Sequence, residues 1–398
     1  MENNTRFTPL PAHSSGREDV LDASDIVEWL HRSPYSAEEL GPRGIIRFLN
    51  PDDYVQFLHT LQVKRSRGIK LQEIRHLPSI QSISCPLELQ DVPASLNGKM
   101  VWEEDCLVQV HALSGGAIVT EKGIPWGVKH IQAPQAWSRT TGYRVKVGVI
   151  DTGVDFGHPD LRHSLERGIN LLHRMALPQD DNGHGTHISG TIASANELQG
   201  MIGVAPRSMI YPIKAFDHNG SAFVSDIILG IEWCIRNQMD VVNMSFGMKT
   251  KSKSLLNAVN NAYRSGVLIV ASSGNDGRVG DIDYPARYSQ TIAVGATNQL
   301  SRIAKFTNRS DMIDIYAPGD RIISAWLRGK HREMSGTSMA TSHVTGAIAL
   351  LLAMKPGLTP AQIKDIIKSS AKPLRNSKAP RTAGELNVMR MIRAADLL

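Results

Sequence analysis

Three short segments place a reactive side chain among small residues. The first is Val149, Ile150, Asp151, Thr152 and Gly153, where a carboxylate ends an apolar run and a glycine lets the backbone turn. The second, Asp180 through His187, offers the imidazole of His184 just before the small, apolar stretch Ile188 to Ala195. The third, Met334 through Ala340, sets the hydroxyl of Ser338 at the opening of another apolar stretch that runs to Met354. A hydroxyl nucleophile, a base of near-neutral pKa and a carboxylate to orient that base are what serine acyl transfer requires.

Each segment also has a plainer reading. An Asp before Gly is a common turn former or helix cap. His184 and His187, at i and i+3, form a metal-ligating pair on paper, but no zincin glutamate and no third ligand accompany them. Ser335 or Thr337 serves equally as a helix N-cap. The small residues around Ser338 exceed what a cap needs, because they also let a substrate backbone come close.

Taken in order, the DTG, HGTH and GTSMA segments carrying Asp151, His184 and Ser338 resemble the subtilase family (peptidase S8, the subtilisin-like serine proteases), whose triad has the chain order Asp, His, Ser. The likeness runs over about residues 124 to 375 and takes in NMSFG at 243–247, SSGNDG at 272–277 and the pair Tyr284 and Pro285. It implies a serine endopeptidase in which Ser338 attacks, His184 moves the proton and Asp151 orients the imidazole. Asn275 and the Ser338 N–H would hold the oxyanion. Polypeptide substrates would lie extended between Gly220, Ser221 and Ala222 on one side and Ser245, Phe246 and Gly247 on the other. The residue before the Tyr-Pro pair lies at the floor of the pocket for the side chain preceding the cut. It is commonly glycine in similar enzymes and here is Asp283, which implies a preference for Arg or Lys unless Asp283 turns outward or pairs with Arg287. Two further departures are Met248, where a second glycine is usual, and Ser342, where proline is usual.

The resemblance also places a structural calcium ion, with Asp160 and Glu197 as side-chain ligands and carbonyls from Ala195, Gln199 and Met201. Lys122 stands where the family often has an amide ligand, which leaves the set incomplete. The alternative function is a latent or non-catalytic relative acting as a regulatory or binding module. Against it, all three triad residues and Asn275 are present.

The elements that must position these groups are legible as near-continuous apolar runs at Lys146 to Asp151, Met209 to Ile213, Val241 to Met244, Val267 to Ala271 and Thr291 to Val294. Such runs suit strands buried on both faces, and Ala222 to Arg236 and Leu255 to Arg264 suit crossover helices. The fold class expected is α/β, a doubly wound, mostly parallel sheet with helices on both faces, over residues 124–398. Upstream, residues 45–111 read as a small α+β module, with a strand at Ile45 to Leu49, a helix at Asp52 to Leu61, and strand-like pieces near Lys70 to Ile83 and Trp102 to His111. This module resembles, less specifically, the inhibitory propeptide of secreted subtilisins, which implies an autoprocessed zymogen with its own N-terminal inhibitor. Processing would fall in the linker 112–123 or at its edge, between His111 and Gly123, with Lys122 a candidate given Asp283. Residues 1–44 read as a flexible acidic extension with little fold beyond one short amphipathic helix at Ala23 to Leu30.

Composition is that of a globular protein: 398 residues, 41% hydrophobic, with a formal net charge of +6. The Lys and Arg residues are scattered, so no nucleic-acid partner is expected. No apolar run nears the roughly 20 residues of a membrane span, and no membrane partner is expected. The three cysteines form no CxxC pair and read as buried free thiols. No export signal is visible at the start, which points to the cytoplasm, whereas an inhibitory module is more familiar in exported, extracellular relatives.

Overall fold

The structure is a computed structural model and describes residues 26, 27, 30, 42–66, 74–86, 98–113, 118–119, 123–196, 200–374 and 383–397. Their contacts divide them into two units. The first runs to Leu107 and includes residues 223–229 and 252–258; the second holds the rest from Val108 onward. Val108 to His111, read from sequence as the end of the N-terminal module, thus belong to the second unit.

In the first unit, four antiparallel strands stand in the order Arg75–Leu77, Ser82–Pro86, Arg43–Phe48, Met100–Glu104. The helix Pro51–Ser66 begins where Asn50 Oδ1 accepts the Asp52 N–H at 3.0 Å. Proline in its first position, two aspartates in its first turn and Lys64 and Arg65 in its last complement its dipole. Its Tyr54, Phe57 and Leu61 pack with Ile46, Phe48 and Ile83. Ile26, Val27 and Leu30 are helical and buried in this same core. These positions fall within the short amphipathic helix read at Ala23 to Leu30.

The same unit contains the first turns of two helices, each capped by a carboxylate. Glu103 Oε1 accepts the Ser252 Oγ–H and the Ser254 N–H at 2.8 and 3.0 Å, and Oε2 accepts the Lys253 N–H at 3.0 Å. Asp105 Oδ1 accepts the Ser225 N–H at 2.9 Å. Each carboxylate meets donors that a helix N-terminus leaves without intrahelical partners.

The second unit is built on seven parallel strands in the spatial order Ile315–Pro318, Thr291–Thr297, Leu268–Ser272, Val241–Met244, Lys146–Asp151, Met209–Lys214, Ile169–Asn170. Their residues are mostly buried on both faces, as near-continuous Val and Ile runs require. From Lys146–Asp151 the chain steps outward one way, and from Val241–Met244 it steps the other way. The carboxyl ends of those two adjacent strands are therefore the topological switch point, where a doubly wound sheet leaves a crevice. Asp151 ends one strand and Ser245 follows the other.

The helix Thr337–Met354 is long and apolar enough to cross a membrane, but 89% of that stretch is buried inside the protein and forms core. Helices Pro360–Ser370 and Val388–Asp396, and the hairpin Ile322–Trp326 with Lys330–Met334, were not assigned from sequence. Cys85 and Cys234 are buried, as expected of inert thiols, and burial drives the Cys85 thiol up to about 12. Cys106 is only partly buried, a departure from the expectation for all three.

Candidate active site

Asp151 and His184 come together by the close approach of one helix to one strand. A side chain on Gly185 would fall on the Gly153 carbonyl and within 3.2 Å of Asp151 Cβ, so only glycine lets the helix His184–Ala193 lie so near. Asp151 Oδ1 then accepts the His184 Nδ1–H at 2.7 Å and the Thr152 N–H at 2.8 Å. The carboxylate has no proton to give, so it fixes the tautomer that leaves Nε2 as the basic nitrogen. Both side chains are almost completely buried.

Asp180 holds this arrangement, a role that its place four residues before the HGTH motif did not disclose. Its Oδ1 accepts from Thr152 Oγ1, Asn182 N and Gly183 N, all at 2.9 Å, and its Oδ2 from Thr186 N and Oγ1 at 3.0 and 2.6 Å. Five donors on one buried carboxylate tie the strand end to the helix start. His187 takes no part in a metal pair with His184. Its Nε2 lies within 3.1 Å of the Ile322 and Arg332 carbonyls, and burial above all holds its pKa down to about 3.

Ser338 is the second residue of the helix Thr337–Met354, and its Oγ lies 2.5 Å from the His111 carbonyl oxygen and 2.8 Å from that of Ser245. Among the described residues, His184 Nε2 has no hydrogen-bond partner. The structure therefore forms the Asp151–His184 contact expected from sequence, while the serine hydroxyl is directed at carbonyls rather than at the imidazole. Asn275 Oδ1 accepts the Thr337 N–H and Oγ1–H at 2.9 and 2.8 Å. Its Nδ2 lies 3.1 Å, and the His111 carbonyl oxygen 2.6 Å, from the position a Cβ on Gly336 would take. An amide donor and a substrate-like carbonyl thus share the space that this glycine leaves open.

The cleft predicted for extended polypeptides holds residues of this chain. The Val110 N–H donates to the Gly220 carbonyl at 3.2 Å and the His111 N–H to the Ser245 carbonyl at 3.0 Å. Val110 and Gln109 pair antiparallel with Phe246 and Gly247, and Gln109 Nε2 donates to Ser221 Oγ at 2.6 Å. Ser221, Ala222 and Phe223 form the strand on the far side. Beyond the serine, the Leu113 N–H donates to the Ser335 carbonyl at 2.9 Å. Residues 109–113 therefore cross Ser338 in the manner of a bound peptide.

Asp283 is buried at the end of this pocket. Its Oδ2 is 3.0 Å from His111 Nε2, its Oδ1 pairs with Arg278, and Ser272 Oγ is 2.8 Å from His111 Nδ1. Burial alone would raise the Asp283 pKa, but the His111 hydrogen bond and the charges of His111 and Arg278 outweigh it and hold the carboxyl below its usual range. Arg287, the partner considered from sequence, pairs with Asp281 instead. Arg278 and His111 lie in no motif, and Ser272, though it opens the SSGNDG segment, was given no part in this pocket. Met248 pairs with Tyr284 beside this pocket, and Ser342 Oγ donates to the Met339 carbonyl at 2.7 Å.

The calcium set is only partly traceable, because Glu197, Gln199 and Lys122 lie outside the described residues. Asp160 is buried and tied to N–H donors: Asn196 Nδ2 at 2.8 Å on Oδ1, and Met201 N at 3.1 Å and His331 Nε2 at 2.7 Å on Oδ2. The Met201 carbonyl accepts the Asn196 N–H at 3.2 Å. Two imidazoles, His158 and His331, bring ligand atoms within 4.8 Å of the carboxylate and of each other. Calcium takes six to eight oxygens, so the described residues, with Asp160 committed to N–H donors beside two imidazoles, do not fit it.

Comparison with known proteins places this geometry. The description "Subtilase family" matches residues 142–387. The chain is 42% identical over 280 residues to subtilisin E of Bacillus subtilis (strain 168), covering 69% of this chain and 71% of that protein. It is 44% identical over 261 residues to subtilisin of Bacillus pumilus, covering 64% and 94%. With the alkaline protease of Shouchella clausii it shares 37% identity over 349 residues, 85% and 88% of the two chains.

Proposed function

Since this chain belongs to the subtilase family and is a serine endopeptidase, we propose that it is made as a zymogen whose residues 108–111 occupy its own cleft and that it cuts itself between His111 and Ala112. The observation that carries this reading is the His111 carbonyl at 2.5 Å from Ser338 Oγ, next to a His184 already oriented by Asp151.

Ser338 Oγ attacks the carbonyl carbon as its proton passes to His184 Nε2, and Asp151 stabilises the imidazolium that forms. The new oxyanion is met by Asn275 Nδ2 and the Ser338 N–H, donors aimed where charge develops. Collapse breaks the C–N bond, with the proton on Nε2 passing to the leaving amine. Water, deprotonated by the same nitrogen, then hydrolyses the acyl-enzyme and frees Ser338. Backbone pairing with Gly220 and Ser245 is indifferent to side-chain identity, so the same steps serve unfolded or extended polypeptides. The Asp283 carboxylate favours a side chain carrying N–H donors before the cut, and the Arg or Lys preference belongs to this class.

The test is digestion of denatured casein by wild type and by Ser338→Ala, with mass analysis of the enzyme's own fragments. Casein fragments and a new N-terminus at Ala112 for wild type only are expected. Equal digestion by Ser338→Ala would defeat the assignment of the nucleophile. A second reading, a chain that stays latent, is favoured by the filled cleft and by a His184 Nε2 that has no hydrogen-bond partner among the described residues. It requires that a fluorophosphonate fail to label Ser338 even after prolonged incubation.

A further inference from the structure

We propose that the pocket before the cut is built to read histidine, in preference to arginine or lysine, and that His111 is both the side chain that fills it and the residue after which the chain cuts itself. The inference rests on the peptidase reading above and narrows its substrate class.

Both ring nitrogens of His111 are met. Nε2 lies 3.0 Å from Asp283 Oδ2, and a carboxylate only accepts, so this nitrogen carries a proton. Nδ1 lies 2.8 Å from Ser272 Oγ. A hydroxyl donates or accepts as its rotor turns, so Ser272 serves the neutral ring and the imidazolium alike. No aliphatic or phenolic side chain satisfies two polar groups placed on either side of a five-membered ring. The ring also fits by contact: a Cβ on Gly247 would fall on His111 Cε1 and within 2.9 Å of Nε2.

Depth and charge separate histidine from the longer cations. The imidazole already reaches the carboxylate, and on the other oxygen of that carboxylate sits the guanidinium of Arg278. A guanidinium or ammonium on a longer stem would have to fold back, or press against Arg278 at like charge, to meet an Asp283 whose charge is already shared. It would also leave Ser272 with the wrong spacing. A site that hydrogen-bonds its substrate at two fixed points rejects analogues that miss one of them more strongly than an apolar pocket does.

The experiment compares matched peptides ending the acyl side in His, Arg, Lys or Leu, cut by the processed enzyme, with self-cleavage of the intact chain carrying His111→Arg or His111→Leu. The expected result is a kcat/KM for His at least about 10-fold above Arg and Lys, with self-cleavage of His111→Arg slowed by a similar factor. Ser272→Ala is expected to lower the His-to-Leu ratio. Arg or Lys equal to or better than His, or a ratio that Ser272→Ala leaves unmoved, overturns the histidine assignment while the peptidase reading stands. Fluorophosphonate labelling of Ser338 without cleavage of the His peptide overturns it likewise. No labelling and no casein digestion removes the underlying reading, and the proposal falls with it.

Discussion

Thr337 holds Asn275 by the end of the amide that does no chemistry. The Thr337 N–H and Oγ1–H both point at Asn275 Oδ1, at 2.9 and 2.8 Å, which settles the amide orientation and turns Nδ2 toward the space beside the His111 carbonyl. A donor fixed in advance costs no reorganisation when charge appears on the oxygen. Asn275→Leu is therefore expected to lower kcat by about 10²- to 10³-fold with KM little changed. Thr337→Val, which keeps the N–H and loses the hydroxyl, should give a smaller fall of the same kind. Steady-state kinetics on one peptide measure both, and a loss confined to KM would show that Asn275 binds substrate without stabilising the transition state.

Asp180 is expected to matter for folding and rate together. Asp180→Asn puts an NH2 group where the N–H and O–H donors of Thr152, Asn182, Gly183 and Thr186 converge. Donors left facing a donor lose their partner after desolvation, and the destabilisation should be about 3 kcal/mol. Urea unfolding in a Ser338→Ala background, where self-digestion is absent, measures it. A stability within experimental error of the parent would mean that water replaces the carboxylate at no cost.

The strands Lys146–Asp151 and Val241–Met244 were legible because a buried parallel strand is written as an unbroken apolar run that stops at a polar residue. The helix Pro360–Ser370 carried a legible signal that went unread, since Thr359 and Gln362 form a capping box around a proline start. In the hairpin Ile322–Trp326 with Lys330–Met334, the charged residues Lys330, Arg332 and Glu333 hid the strand period. Asp151, His184, Ser338 and Asn275 were found because each sits in a motif of neighbours. His111, Ser272 and Arg278 were missed because they meet only when chain segments about 160 residues apart converge. A lone histidine in an alternating stretch carries no local sign of that meeting.

Glu103 is expected to contribute to stability as a cap. It accepts from Ser252, Lys253 and Ser254 at the start of the helix Lys253–Arg264. Removing a cap of this kind costs about 1 kcal/mol, and a carboxylate at a helix N-terminus adds some tenths through the dipole. Glu103→Ala in the Ser338→Ala background should thus unfold at lower urea with an unchanged slope. A midpoint identical to the parent would assign those donors to solvent.

Chelation bears on Asp160. An ion bound at 100 times its Kd stabilises by about 2.7 kcal/mol, enough to move a melting temperature by several degrees. With the Asp160 oxygens given to Asn196, Met201 and His331, excess EDTA is expected to leave the melting temperature of Ser338→Ala unchanged. A fall that added calcium reverses would mean that the ion displaces these donors.

Acid should destabilise the second unit through two buried imidazoles. His187 is held down to about 3, by burial first and the charge of His184 next, and His343 to about 4 by burial. Unfolded, both take up protons below about pH 6.5. Between that pH and the folded values the unfolded state binds more protons, so stability rises with pH; their contribution is complete above about pH 6.5 and is lost as the pH falls toward 4 and 3. Each histidine can supply a slope of about 1.4 kcal/mol per pH unit, and the pair roughly twice that. Urea unfolding of Ser338→Ala at several pH values from neutral downward measures the slope. His343→Gln, which cannot take the proton, should reduce it by about one proton. If His343→Gln titrates like its parent, His343 is already solvated or charged in the folded protein, and the packing of helix Thr337–Met354 around a neutral ring is wrong.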